Sequence, residues 1–112
     1  MPSVVVTMTL ATMTAITEKP GAKIKPSFIM VDNDGAAATA VIQFQDVFTP
    51  SASVAVPVPI AQTIDRVRCS VPILSCVSFE DELKDIVFIG GMQIVRGALD
   101  ANCFITVGYD FV

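Results

Sequence analysis

The sequence contains no histidine and no tryptophan, and only one of its 112 residues is a tyrosine. Histidine titrates nearest to neutral pH and is the most common general base, pH switch and metal ligand in proteins. Its absence therefore removes the side chain that most often serves in acid–base catalysis. The scarcity of tyrosine and tryptophan also argues against a surface that stacks against sugar rings.

Charged residues are scarce as well. They make up 16% of the chain, where an average soluble domain has roughly 25%. The formal net charge is −4, a poor match for DNA or RNA, so we expect no nucleic-acid partner. Apolar residues make up 53% and the mean hydropathy is +0.67. An excess of this size predicts either a membrane segment or a large apolar surface buried against other chains.

The chain has no hydrophobic run suited to a membrane helix, which needs about 20 consecutive apolar residues. Its longest uncharged runs are residues 1–17 and 47–64. Threonines alternate through the first run, and Pro50, Pro57 and Pro59 interrupt the second. We therefore expect no membrane partner and no transmembrane protein. The start of the chain also lacks a basic region, so we expect no signal peptide.

Three cysteines are present, Cys69, Cys76 and Cys103. An odd number argues against a closed disulfide framework, and the spacings match no zinc pattern. We interpret all three as small buried side chains in a reducing compartment.

The dominant positive feature is alternation with a period of two, and it is clearest in residues 86–112. The final ten residues place alternate apolar side chains on one face, which indicates a strand with one buried side. That face carries Cys103, Ile105, Val107, Tyr109 and Phe111. Residues 96–102 contain Gly97, Asp100 and Asn102, which favour a tight turn. We predict that 86–95 and 103–112 form a β-hairpin.

Similar patterns predict strands in residues 3–17, 23–31, 36–48, 53–60 and 64–75, the first being one long strand or two joined by a bend. Pro57 and Pro59 cannot donate to a sheet, so 53–60 should be an edge strand. In 23–31 apolar residues occupy both faces, and we expect both to be covered. In 64–75 we expect Arg66 and Arg68 to face outward.

The fold class predicted from these patterns is all-β. We expect residues 1–112 to form a single domain, an antiparallel two-sheet β-sandwich of about eight strands, jelly-roll or immunoglobulin-like. At most one short helical turn is expected near 78–85, with Ser78 as its cap. The strand pattern alone does not distinguish the two topologies.

Candidate chemical sites are weak. Asp32-Asn33-Asp34-Gly35 resembles the start of a calcium loop, but alanines follow where oxygen ligands are needed, so we interpret it as a turn. The acidic cluster in residues 80–85 is typical of a solvated loop, and a cysteine nucleophile would have no histidine base. A basic strip of Lys23, Lys25, Arg66 and Arg68 would pair with acids or be solvated. We expect no enzyme activity, catalytic residue, metal site or cofactor.

The apolar excess is best explained by contacts between subunits, since stable interfaces are more hydrophobic than ordinary surface. We expect these contacts at the N-terminal segment and at the 53–60 edge strand. The predicted interface residues are Val4, Val6, Met8, Val54, Val56, Pro57, Val58 and Pro59. Substitution of Val6 or Val56 should weaken assembly more than it unfolds the monomer.

In size, strand content and richness in valine, threonine and alanine, the chain resembles the small β-sandwich decoration, coat and tail proteins of tailed bacteriophages. This resemblance implies a non-enzymatic structural protein in a virion or a cytoplasmic assembly. Its partners would be copies of itself, a larger scaffold such as a capsid, or both. The alternative is a β-sandwich binding module that recognises a protein or carbohydrate through loops 32–35 and 96–102.

Overall fold

A computed structural model of the chain describes residues 2–8, 11–33, 40–49, 62–72, 75–96 and 103–112. These residues form eight strands and a single 3-10 turn. The strands are β1 (Ser3–Thr7), β2 (Thr12–Ile16), β3 (Ile24–Asp32), β4 (Ala40–Phe48), β5 (Gln62–Val71), β6 (Cys76–Phe79), β7 (Gly91–Arg96) and β8 (Phe104–Phe111). The turn, Asp81–Leu83, is the short helical element expected in this region. Ser78, its predicted cap, lies in β6 instead.

The strands form two four-stranded antiparallel sheets, which confirms the predicted β-sandwich. Sheet A has the order β1-β8-β3-β6, and sheet B has the order β2-β7-β4-β5. The first strand pairs with the last, the second with the seventh, the third with the sixth and the fourth with the fifth. This nested pairing, divided between two sheets, is the jelly-roll arrangement. In an immunoglobulin-like sandwich the first two strands share a sheet, whereas β1 and β2 do not.

The predicted hairpin of residues 86–112 is wrong. β7 pairs with β2 and β4 in sheet B, while β8 pairs with β1 and β3 in sheet A. Both arms carry the alternation of a half-buried strand, but alternation records only that a strand has a covered face. The partner of each strand is set by long-range packing, and this jelly roll places β7 and β8 in opposite sheets.

The core lies between the inward faces of the two sheets. β4 shows the pattern, with Ile42 and Phe44 buried and Gln43 and Gln45 turned outward, as predicted. The buried hydrophobic residues are Val6, Met8, Ile16, Ile24, Ile29, Val31, Ile42, Phe44, Val71, Leu83, Phe88, Met92, Ile94, Cys103, Ile105 and Val107. Burial of these aliphatic and aromatic side chains supplies the main favourable term in folding.

Residues 3–17 form two strands, β1 and β2, in different sheets, which was one of the two predicted possibilities. Gly90 lies in the bend before β7, where a side chain would overlap the backbone of Val47. The predicted edge strand at 53–60 lies outside the described residues. No helix in the described residues has the length and apolar character needed to cross a membrane.

Candidate interaction surface

The outward face of sheet A carries large apolar side chains. Val5 on β1 is 64% exposed, Phe104 on β8 is 47% exposed and Met30 on β3 is 43% exposed. Phe28, also on β3, is half-buried. We call these four residues the apolar patch. Apolar side chains that stay exposed together on one sheet face are typical of a contact surface.

The strand register brings the patch residues into neighbouring rows. Val5 lies opposite Thr106, and Thr106 lies opposite Met30, so that one row crosses β1, β8 and β3. In the row on one side of it Phe104 lies between Thr7 and Asp32, and in the row on the other side Phe28 lies opposite Gly108. Adjacent strands are about 4.8 Å apart. The four side chains therefore lie in neighbouring positions on one sheet face, around Thr106.

The sequence of β3 already indicated an apolar outward face. The continuous apolar run of 23–31 predicted that both faces of the strand are covered. Ile29 and Val31 are indeed buried in the core, but the opposite face, with Phe28 and Met30, is not covered by any described part of the chain. Of the two covered faces predicted for β3, the described residues thus cover only one.

The predicted contact residues of β1 are placed differently. Val6 and Met8 belong to the core, with exposures of 6% and 0%, and Val4 is half-buried beside them. The residue of β1 that faces outward is Val5. Whether β1 contacts another subunit stays a prediction, but Val6 and Met8 would not be the side chains that it offers.

The remaining predicted contact residues are Val54, Val56, Pro57, Val58 and Pro59, and they lie outside the described residues. The same holds for Asp34 and Gly35 in the first end loop and for residues 97–102 in the second.

An ion pair with a fully buried carboxylate joins β4 to β5. The Asp46 carboxylate on β4 is fully buried and accepts hydrogen bonds from Arg66 Nε at 3.1 Å and Nη2 at 2.8 Å. It also accepts the backbone N–H groups of Ile89 at 2.8 Å and Gly90 at 2.9 Å. A buried carboxylate is stable only when such donors surround it. Asp46 therefore joins β4, β5 and the bend before β7.

Arg66 reaches Asp46 because β5 is irregular at this point. Phe44 lies opposite Val67, but the next residue of β4, Gln45, lies opposite Asp65, so Arg66 is an extra residue in the ladder. A bulge re-aims side chains, and the prediction that Arg66 faces outward is accordingly wrong. The sequence did carry a signal for the pair, since Asp46 follows Ile42 and Phe44 at inward positions.

An open cavity of about 470 Å³ lies beside this ion pair. It is lined by Lys23, Asp65, Arg66, Asp85, Ile86, Val87 and Ile89. The predicted basic strip is therefore divided: Lys23 and Arg66 line the cavity, whereas Lys25 Nζ donates to the carbonyl groups of Leu83, Lys84 and Ile86. Lys25 thus fastens the 3-10 turn to β3.

The outward face of sheet B has the opposite character. Gln45 Nε2 and Gln43 Nε2 donate to the two carboxylate oxygens of Asp65 at 2.8 and 3.0 Å, and Gln93 Nε2 donates to Gln45 Oε1 at 2.7 Å. These bonds link β7, β4 and β5 through polar side chains. The outward face of sheet B therefore differs from that of sheet A, which carries the apolar patch.

The three cysteines are not joined in disulfides. Cys103 is buried, Cys69 is half-buried and Cys76 is exposed, so the prediction that all three are buried is wrong for Cys76. Burial raises the pKa of the Cys69 thiol. Among the described residues no three Asp, Glu or Cys side chains lie close enough together to hold a metal ion.

No protein-family model, curated protein or solved structure matches the chain.

Proposed function

We propose that the protein is a non-enzymatic structural subunit, a component of a virion or a similar shell, that acts through contacts between subunits. The observation that carries the proposal is the apolar patch of Val5, Phe28, Met30 and Phe104 on the outward face of sheet A. Clustered apolar side chains that stay in contact with water are unfavourable for a solitary domain. Burial of the patch against another subunit would remove that contact with water.

The strand order adds a second, weaker support. Double-sheet jelly rolls of eight strands occur in viral capsids, in lectins and in cupins. A fold by itself does not define a function. The chain has no histidine, the most common general base of enzymes. The apolar patch, by contrast, is a surface that an assembling subunit would use. The contrast with the polar face of sheet B gives the subunit one side for contact and one for solvent.

The contact role of the patch is tested by a charge placed within it on β8, the strand between β1 and β3. Phe104→Lys introduces a charge that would have to be desolvated in the interface, and it should reduce the assembled fraction at least about tenfold. Ile64→Lys is the matched control, because Ile64 is 41% exposed but lies on β5 in sheet B. Sedimentation velocity at one fixed concentration measures both variants, and thermal unfolding verifies that each is folded.

Assembly of Phe104→Lys to the wild-type extent would contradict the patch as the contact surface. Equal loss in Phe104→Lys and Ile64→Lys would also contradict it, because the effect would then not be specific to sheet A.

A binding module is the second candidate, and the cavity beside Arg66 favours it. Its volume of about 470 Å³ is within the range of about 300–1,000 Å³ for small-ligand sites. Ile86 and Ile89 offer apolar surface, while Lys23 and Asp85 offer charges of both signs. A stable monomer that binds in a glycan or peptide array, and loses that binding in Lys23→Ala and Asp85→Ala, would favour this function over assembly.

A further inference from the structure

We infer that the open edge of β1 pairs with β1 of a second copy of the chain, antiparallel and across a two-fold axis at Val5. The inference rests on the proposed assembly function and names one of its contacts. It concerns main-chain pairing at a sheet edge, whereas the apolar patch, to which the Val5 side chain also belongs, makes its contact on the sheet face.

The hydrogen bonds at the two ends of β1 show which of its backbone groups are open. Met8 N–H donates to the Cys103 carbonyl, and Tyr109 N–H donates to the Pro2 carbonyl, both at 3.0 Å. Antiparallel strands bond through every second residue, so the even-numbered residues of β1 bond to β8. The N–H and C=O groups of Ser3, Val5 and Thr7 therefore point to the other side, where no described strand pairs with β1.

Among the described strands, the other three at sheet edges carry features that hinder such pairing, and β1 does not. A bulge interrupts β2 between Thr14 and Ile16. β5 carries the Arg66 bulge and the charged residues Asp65 and Arg68. β6 is only four residues long. β1, with the sequence SVVVT, has no charge, no proline and no bulge, although these are the features by which proteins normally blunt an exposed edge.

A second copy fits this edge because β1 is complementary to itself. Antiparallel pairing about Val5 places Val5 opposite the second copy's Val5, and Ser3 opposite its Thr7. Each of the three facing pairs exchanges two bonds, so the contact contains about six main-chain hydrogen bonds. No like charges meet, and the two valines form a β-branched cross-strand pair on the outward face. Such a two-fold contact is the commonest form of self-association.

The pairing also extends the proposed interface. Two copies joined at β1 would share one continuous eight-stranded sheet, and their apolar patches would lie side by side on the same face. The doubled patch would offer a larger area to the next layer of subunits than one copy can offer.

The first test removes the central edge donor and keeps the apolar surface. Val5→Pro deletes an N–H that points away from β8, a position where edge strands tolerate proline. We expect the dissociation constant of the pair to rise at least about tenfold. The matched control is Thr12→Pro on β2: Arg96 N–H donates to the Ala11 carbonyl, so Thr12 also turns its N–H to an open edge. This control should pair like the wild type.

The second test does not depend on proline and alters only an exposed side chain. Val5→Lys and Val5→Glu each place like charges opposite one another across the axis. By light scattering, each variant alone should have a mass near 11.9 kDa, and an equimolar mixture should recover twice that mass. At concentrations too low for the wild type to pair, thermal unfolding of each variant should match the wild type, because Val5 is 64% exposed.

Folded Val5→Pro that pairs like the wild type, or a charge mixture that stays at one chain mass, would overturn the pairing. If Phe104→Lys loses assembly while all Val5 variants keep it, the pairing fails and the proposed function stands. If the wild-type chain stays at one chain mass at every concentration, both fail.

Discussion

The buried carboxylate of Asp46 on β4 holds the guanidinium of Arg66 on β5 at 2.8 Å, across the one irregular step of their ladder. Ile89 and Gly90 donate their backbone N–H groups to the same carboxylate. One side chain therefore fixes the relative positions of β4, the β5 bulge and the bend that leads into β7. Removal of Asp46 would leave several donors without an acceptor at once.

Asp46→Ala should lower the free energy of unfolding by about 3 kcal/mol, because two backbone N–H groups and Arg66 lose their shared acceptor. Urea denaturation measures the change. Asp65→Ala is the control: Asp65 is an exposed carboxylate on the neighbouring strand with two glutamine donors, and its loss should cost less than about 1 kcal/mol. Equal costs for the two variants would contradict the role of Asp46.

Gly90→Ala should destabilise the fold by roughly 3 kcal/mol, since the added Cβ would overlap the Val47 carbonyl oxygen and the backbone would have to shift. Gly21→Ala gives the comparison. Gly21 has a φ of +79° but open space around it, so only the conformational cost of about 1–2 kcal/mol applies there. A smaller loss of stability in Gly90→Ala than in Gly21→Ala would mean that the bend is not packed as described.

Truncation of two adjacent residues of β1 to alanine should change the free energy of unfolding by different amounts. Val6→Ala creates a cavity in the core and should cost about 2 kcal/mol of unfolding free energy. Val5→Ala alters an outward side chain and should change stability by less than about 0.5 kcal/mol. Chemical denaturation of the unassembled chain measures both changes. Equal losses of stability in Val6→Ala and Val5→Ala would contradict the assignment of Val6 to the core and Val5 to the outward face.

Thiol alkylation should rank the cysteines by exposure. Cys76 is exposed and should react first, whereas Cys103 is buried and should stay unmodified until the protein unfolds. Burial raises the pKa of Cys69, so its thiolate fraction at neutral pH is reduced and its modification should speed up as the pH is raised. Mass spectrometry of the native protein over a pH series measures the order, and faster modification of Cys69 than of Cys76 would contradict it.

Most of the strands could be predicted from the sequence because alternation is a local property. In β4, the alternation of Ile42 and Phe44 with Gln43 and Gln45 is enough to identify the inward and outward faces of the strand. The 3-10 turn was likewise expected from its polar cluster.

The pairing of strands could not be predicted in the same way. Nothing in the alternation of residues 103–112 says that β8 lies between β1 and β3 and not beside β7. Which side chains β1 turns outward could not be predicted for a related reason: Val6 and Met8 are apolar, but apolar character does not say which face of β1 points inward. Arg66 was misplaced because a bulge shifts the alternation by one residue.

The native mass of the wild-type chain, measured by light scattering after size exclusion over a range of concentrations, tests the account most directly. Negative-stain images of the same peak would show the form of any particle. The account predicts a multiple of 11.9 kDa and a particle built from repeated subunits. A single peak at one chain mass at every concentration would contradict assembly through copies of this chain.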